Sequence, residues 1–419
     1  MSKRTGLLLF FALAAVFLAA NRSAYRGYFQ DDEFDTLSWA RYGSALDYLK
    51  GAASPLFQDN NFRPAGHFYF HAAANAFGLD FPKYIAVIHA IHLFNAWLVW
   101  LLARSLRAPP AAAAAGTVFF ALHMALFDDF WKPMYVFDVL CATFCLFSLL
   151  LYARGRWVWS FVSFWLAYKA KELAVMLPLV LAAYELWFGE RRWKRLIPFF
   201  AVSLSFGLQA LIRNPNQDNE YTFRFTAAAL AKTSRFYADR IFLTPYLGFA
   251  LPLAFLRRSR PIWFGLAITA VFFLPLLFLP GRLFAAYCYL PFTGLAIALT
   301  GLVEGLSWPW LALLLVAWAP LDVHAFRVQS RLTLARDNEI RAWVESVDAF
   351  AKSNPQVSSF VVDGAPEGFA RWGVEGALKY IFQRFDLKVT YSGEPTASEN
   401  PALLRWDRSR HRLEITPRR

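Results

Sequence analysis

Residues Tyr84 to Leu106 read YIAVIHAIHLFNAWLVWLLARSL, an apolar stretch with no charge before Arg104. At ~1.5 Å per residue, a helix over this stretch crosses the ~30 Å hydrocarbon core of a bilayer. Similar runs occupy Leu7–Ala20, Ala111–Phe127, Met134–Ala153, Trp157–Tyr168, Leu173–Phe188, Leu196–Ile212, Ile241–Leu256, Ile262–Leu279, Leu283–Val303 and Trp308–Leu321. Together they predict a polytopic α-helical membrane protein of about eleven transmembrane helices.

Composition agrees. Of the 419 residues, 58% are hydrophobic and 17% charged, with 43 Phe and 16 Trp. Soluble chains run at roughly 45–50% apolar and about 25% charged. A single aqueous core cannot hide that much apolar surface, so a soluble enzyme, a disordered chain and a fibrous protein are excluded. The net charge of +13 invites a nucleic-acid reading. The basic residues instead sit in short tracts between apolar runs, and no zinc-finger spacing or base-reading basic helix occurs. Cys141, Cys145 and Cys288 all lie inside apolar runs, which argues against a disulfide framework.

Lys/Arg placement sets the orientation. With the N-terminus in the cytoplasm, the inner loops hold Lys3/Arg4, Arg104/Arg107, Arg154/Arg156, Arg191/Arg192/Lys194/Arg195 and Arg257/Arg258/Arg260. The short outer loops hold only Lys132, Lys169/Lys171 and Arg282. An odd number of spans puts the C-terminus outside. Residues 1–322 then form the membrane domain. Its first outer loop (21–83) is long, and Leu37, Trp39, Tyr42, Leu46 and Leu49 recur there at the spacing of an interfacial helix. A second such helix is expected over Arg63–Phe77. Residues 323–419 are charge-rich and predict a small soluble α/β domain. Its expected elements are a helix near Arg327–Phe350, a strand Ser359–Asp363, a helix Gly368–Phe385, and strands near Lys388–Tyr391 and Arg412–Ile415.

The chemistry-bearing residues cluster on the outer side. Tyr28-Phe29-Gln30-Asp31-Asp32-Glu33-Phe34-Asp35 places four carboxylates just past the first span. Close carboxylates repel, which suits a general base or a cation site, although a solvated acidic loop has the same composition. Asp128-Asp129 forms a second acidic pair in the next outer loop, and Asp138 lies inside a span, where an ionisable group is costly. Arg63, Lys171 and Arg282 are outer cations of the kind that bind phosphate. The competing roles are pairing with a loop acid, pairing with Glu172, and snorkelling at a helix end. Asp31, Asp32, Asp128 and Asp129 also offer the oxygens that Mg2+ or Mn2+ prefers. His67/His71 and His89/His92 have helical spacing but no matching carboxylate pattern, so packing is their plainer role.

The order of these pieces resembles the membrane-embedded GT-C glycosyltransferases, especially bacterial relatives of protein O-mannosyltransferases. The pieces are Asp31-Asp32, Asn61-Phe62-Arg63-Pro64, Phe77-Gly78-Leu79-Asp80-Phe81-Pro82-Lys83-Tyr84, Phe119-Phe120-Ala121-Leu122-His123, Lys171-Glu172, Tyr184-Glu185-Leu186 and Arg282…Tyr289-Leu290-Pro291. The resemblance spans Leu7 to Leu321. It implies sugar transfer from a polyprenyl-phosphate donor to a glycan, lipid or protein acceptor on the outer face of the inner membrane. It also implies that Asp31 or Asp32 is the catalytic base and that Arg63, Lys171, Arg282 and Tyr289 bind the lipid-phosphate substrate. Asp35, Asp128, Asp129, Asp138 and Glu172 are then supporting acids. The alternative is a transporter or flippase for a lipid-linked or anionic solute. Such a protein concentrates charge near the bilayer midplane between broken, repeated helices. Here the candidate residues sit at the outer ends of spans.

Overall fold

The computed structural model describes residues 3–56, 62–213, 218–395 and 401–417. Asn61 of the expected motif and the leading Met1-Ser2 lie outside them. The membrane part begins with α1 (Lys3–Ala20), then α2 (Asp31–Ala40), α3 (Ala45–Ala53) and α4 (Pro64–Phe77), all in or beside the first outer loop. The bundle continues with α5 (Phe81–Ser105), α6 (Pro110–Leu122), the short α7 (Phe127–Trp131), α8 (Val136–Ala153), α9 (Trp157–Ala170), α10 (Leu177–Trp187) and α11 (Ile197–Arg213). It closes with α12 (Ala227–Ile241), α13 (Arg260–Phe273), α14 (Tyr289–Leu302) and α15 (Trp308–Ser353).

Among the described residues, six helices are long and apolar enough to cross a membrane. A seventh forms if Pro110–Leu122 and Met124–Trp131, bent by 44°, count as one span. The runs at Leu7–Ala20, Trp157–Tyr168 and Leu173–Phe188 form the shorter helices α1, α9 and α10. The expected span Ile241–Leu256 is absent as an α-helix. Leu247–Leu256 is a ten-residue 3-10 helix with Pro252 inside it, and Leu243 and Tyr246 adopt positive φ beside Pro245. Pro245 and Pro252 each remove a ladder donor from the run, which winds as a 3-10 helix. The preceding α12 is amphipathic and buries Ala229, Thr233, Tyr237, Ala238 and Ile241.

The last two expected helices are one. α15 runs unbroken for 46 residues, from the apolar Trp308 region to Ser353. At ~1.5 Å per residue it is about 69 Å long, far more than a bilayer needs. Its outer half leads into a four-stranded sheet: β1 (Ser359–Asp363), β2 (Lys388–Tyr391), β3 (Ala402–Asp407) and β4 (Arg412–Pro417), in the order β2-β1-β3-β4. β1 pairs in parallel with β2 and β3, while β3 and β4 form an antiparallel hairpin. The helix α16 (Arg371–Phe382) connects β1 to β2, and it buries Val374, Ala377 and Leu378 in the same apolar core as Phe360, Val362 and Leu404. Sequence reading missed β3, a six-residue strand with alternating burial.

The first outer loop is clamped to this unit. Asp337 of α15, almost wholly buried, accepts from the Tyr28 N–H at 3.0 Å and the Gln30 side-chain amide at 2.7 Å. The Arg341 guanidinium donates to the Gly27 carbonyl at 2.6 Å. Gln30 is also the N-cap of α2, in a reciprocal capping box with Glu33. The acidic stretch therefore enters a helix whose start is pinned from outside the membrane bundle.

Candidate functional site

Two ion pairs gather where α4, α8 and the turn after α9 meet. Arg63 is the N-cap of α4, placed there because Pro64 fits the first helical turn. Its guanidinium makes a two-pronged pair with Glu172, both N···O distances 2.9 Å. Lys171, at the turn after α9, reaches Asp138 on the first turn of α8 at 2.5 Å, and both side chains are buried. The Lys171 ammonium also sits 4.5 Å from the centre of the Tyr287 ring. Burial alone would lower the Arg63 and Lys171 pKa values, but their carboxylate partners hold both above their ordinary values. Glu172 is held below its usual range by Arg63 and Lys171, against the opposing effect of burial. His67 accepts from the Arg63 N–H at 2.9 Å, and burial, then the Arg63 charge, pushes it down to about 3, so the ring is neutral.

Around these pairs lie further charged groups. Lys132 pairs with Asp128 at 2.8 Å. Asp129 is fully buried, and neither of its oxygens has a hydrogen-bond partner among the described residues. Arg282 bonds Glu220 at 3.3 Å and the Tyr287 hydroxyl at 3.4 Å, and it lies against Tyr221 and Phe284. Arg240, at the end of α12, pairs with no carboxylate among the described residues. Its guanidinium stacks on Phe236 and donates to the Phe236 carbonyl at 3.0 Å, and burial lowers its pKa. Tyr289 lies inside the bundle, fully buried, with its hydroxyl tied to His92 at 2.8 Å and Asn95 at 3.1 Å. Tyr287 is the tyrosine between the cations.

The first-loop acids are spread around α2. On α2, successive residues point about 100° apart, so three consecutive acids take three directions. Asp31 is half-buried against the C-terminal unit and accepts from the Ala370 N–H at 2.6 Å. Burial raises its pKa, and that N–H opposes the rise. Asp32 is exposed and accepts from the Trp372 indole N–H at 2.9 Å. Glu33 points inward, fully buried, and accepts from the Met134 and Gln30 N–H groups, both at 3.1 Å. Burial pushes it up to about 7. Asp35, also exposed, starts the next turn of α2 beside α16.

Asp31 and Asp32 contact α16, while Asp129 senses Asp138, Asp128 and Lys171. Glu33 bridges the two regions through the Met134 N–H at the entry to α8. Among the described residues no group of three or more His, Cys, Asp or Glu is arranged to hold a metal ion. Asp31, Asp32, Asp128 and Asp129 therefore do not form one Mg2+ or Mn2+ site. Sequence reading missed Arg240 and Trp372. The basic, amphipathic pattern of Ala227–Ile241 was the available signal for Arg240; nothing local marks Trp372.

Solved structures with this fold include ArnT from Cupriavidus metallidurans in the apo state, with a TM-score of 0.56 at 14% identity, over 97% of this chain and 94% of that one. ArnT from the same organism bound to undecaprenyl phosphate matches with a TM-score of 0.56 at 15% identity, over 94% and 87%. No family model and no curated protein matches the sequence. The chain shares the fold of these two structures over most of its length, and it carries a small C-terminal sheet unit.

Two predictions test the electrostatics. Lys171→Met, which strands Asp138, is expected to cost about 3–5 kcal/mol of stability. Adding Asp138→Asn should restore most of the loss in thermal unfolding in detergent; no recovery would show that the pair is not the cause. The second concerns Glu33. With its folded pKa raised, the native state holds the proton more tightly, so the contribution is full below about pH 4.5 and is lost as pH rises to about 7. The wild type should therefore lose about 3 kcal/mol relative to Glu33→Gln between pH 4.5 and 7, and differ little further above it. A pH-independent difference in melting curves would contradict the burial argument.

Proposed function

From this fold and its outer-face charges, we propose that the chain transfers a sugar from a polyprenyl-phosphate-linked donor to an acceptor hydroxyl on the outer face of the inner membrane. The N-terminus is then cytoplasmic and the C-terminal unit periplasmic. The observation that carries the proposal is the gathering of Arg63, Lys171 and Arg282 around Tyr287 in a bundle whose fold is shared with a structure containing undecaprenyl phosphate.

The phosphate is the natural ligand for this charge. Arg63 and Lys171 already have carboxylate partners, so their role is to set the potential of the site and the orientation of its walls. Arg240 and Arg282 carry less complete compensation and bind the phosphate oxygens directly. Asp32 is the base, because Asp31 is committed to Ala370, Glu33 is buried, and one Asp32 oxygen is left without a protein partner among the described residues.

In the reaction, the acceptor O–H gives its proton to Asp32 as its oxygen attacks the anomeric carbon. The bond from that carbon to the phosphate oxygen breaks, and polyprenyl phosphate leaves with the electron pair. Outer cations stabilise the charge that develops there. A single displacement inverts the anomeric centre.

Asp32→Asn should reduce the product by at least about 10³-fold, the upper part of the range for general-base loss combined with misplaced hydrogen bonding. Mass spectrometry of cell-envelope glycans, comparing cells that make the wild type, the variant or neither, reads this directly; a wild-type product level in the variant refutes the base assignment. Arg240→Met should weaken binding of undecaprenyl phosphate about 10- to 100-fold, measured by native mass spectrometry. Unchanged affinity would remove Arg240 from the phosphate site.

A further inference from the structure

α16 lies unusually close to α2. A Cβ at Gly373 would lie 2.7 Å from the Asp31 Cα and from one of its carboxylate oxygens, and a Cβ at Gly376 would lie 2.6 Å from the Phe34 carbonyl and the Asp35 nitrogen. Any larger side chain at either position drives the helices apart. The contact therefore needs glycine on one face of α16, one turn apart.

That approach delivers two donors to the acidic pair. The Ala370 N–H, at the start of α16, reaches Asp31, and the Trp372 indole N–H reaches Asp32. Asp31 is in this way a cap for α16, an arrangement that the helix dipole favours. Trp372 has no comparable structural duty. Trp343 and Trp406, the other tryptophans of the C-terminal part, are 0% and 6% exposed, whereas Trp372 is 53% exposed. Its ring contributes little to the core, and its one polar atom is spent on the carboxylate of Asp32.

We infer that Trp372 is a positioning residue for Asp32: its indole N–H holds one carboxylate oxygen so that the other faces the acceptor hydroxyl. The C-terminal α/β unit is then a working part of the transfer site. The inference rests on Asp32 being the base. A free aspartate samples several rotamers, and only some of them aim a lone pair at the incoming proton. A single directional donor from a second element removes that freedom without neutralising the carboxylate. A ring placed for stacking against a sugar is the competing use of the same tryptophan, and it depends on the aromatic face instead of the N–H.

The two uses separate on Trp372→Phe, which keeps an aromatic ring and loses the donor. The full-length chain, expressed in cells that otherwise lack it, is compared as wild type, Trp372→Phe, Trp372→Leu, Gly376→Leu and Asp32→Asn. Envelope product is read by mass spectrometry, undecaprenyl phosphate binding by native mass spectrometry and folding by thermal unfolding. Trp372→Phe and Trp372→Leu should lower product equally, by about 10- to 100-fold, the range for losing a hydrogen bond to a charged group. Phosphate binding and melting temperature should stay at wild-type values, which a purely structural role would not allow. Gly376→Leu should lower product similarly without touching the indole. Wild-type product from Trp372→Phe, with Asp32→Asn inactive, overturns the positioning role alone. Wild-type product from Asp32→Asn removes the base, and the positioning role goes with it. Should the leucine variants fail to fold, Trp372→Phe decides the matter by itself.

Discussion

Charge that leaves water at the end of a membrane helix must find a partner, and one end of this bundle is organised by that requirement. Asp138 on α8 and Lys171 in the turn after α9 are both buried. Arg63 and Glu172 stand 109 positions apart and meet through two hydrogen bonds. Separating either pair leaves an uncompensated ion in a poorly solvated place, so α4, α8 and the turn between α9 and α10 have little freedom to move apart. Lys171 and Glu172 are neighbours in sequence, and each is drawn to a different partner. The turn they occupy is thereby pinned on both sides. Arg240 lies near Asp128 and pairs with no carboxylate among the described residues, a state that leaves its charge open to an anion.

The first outer loop shows how helix geometry sorts chemically similar residues. Asp31, Asp32 and Glu33 look interchangeable on paper. Once α2 forms, each faces a separate environment: the start of α16, solvent beside Trp372, and the interior near Met134. The capping box explains the inward turn of Glu33, because a residue at the third helical position reaches back to the N-cap N–H. Burial of that same carboxyl is the source of its raised pKa. Local helix rules and long-range packing thus act on one side chain together.

A single helix joins the apolar bundle to the C-terminal sheet unit. α15 continues from its apolar first half without a break, and on the way Asp337 and Arg341 grip residues 26–30. The C-terminal unit is therefore joined to the first loop by side chains as well as by the chain itself. With α16 packed on α2 through two glycines, the acidic stretch lies between the end of the chain and its beginning.

Much of this was legible in the amino-acid sequence. Hydropathy alone separates membrane part from soluble part, because lipid demands long apolar runs and tolerates few charges. The strands Ser359–Asp363 and Lys388–Tyr391 follow from β-branched residues between turn signals. Periodicity could not foresee that Ile241–Leu256 would wind as a 3-10 helix, since hydropathy does not register the donors that proline removes. Nor could it tell which acid meets which base. Ion pairs and hydrogen bonds are contacts in space, here between residues as distant as Asp32 and Trp372. Only the packing of α16 on α2, and of the bundle's outer ends on each other, decided which of several equivalent-looking charges are buried, which are paired, and which stay free.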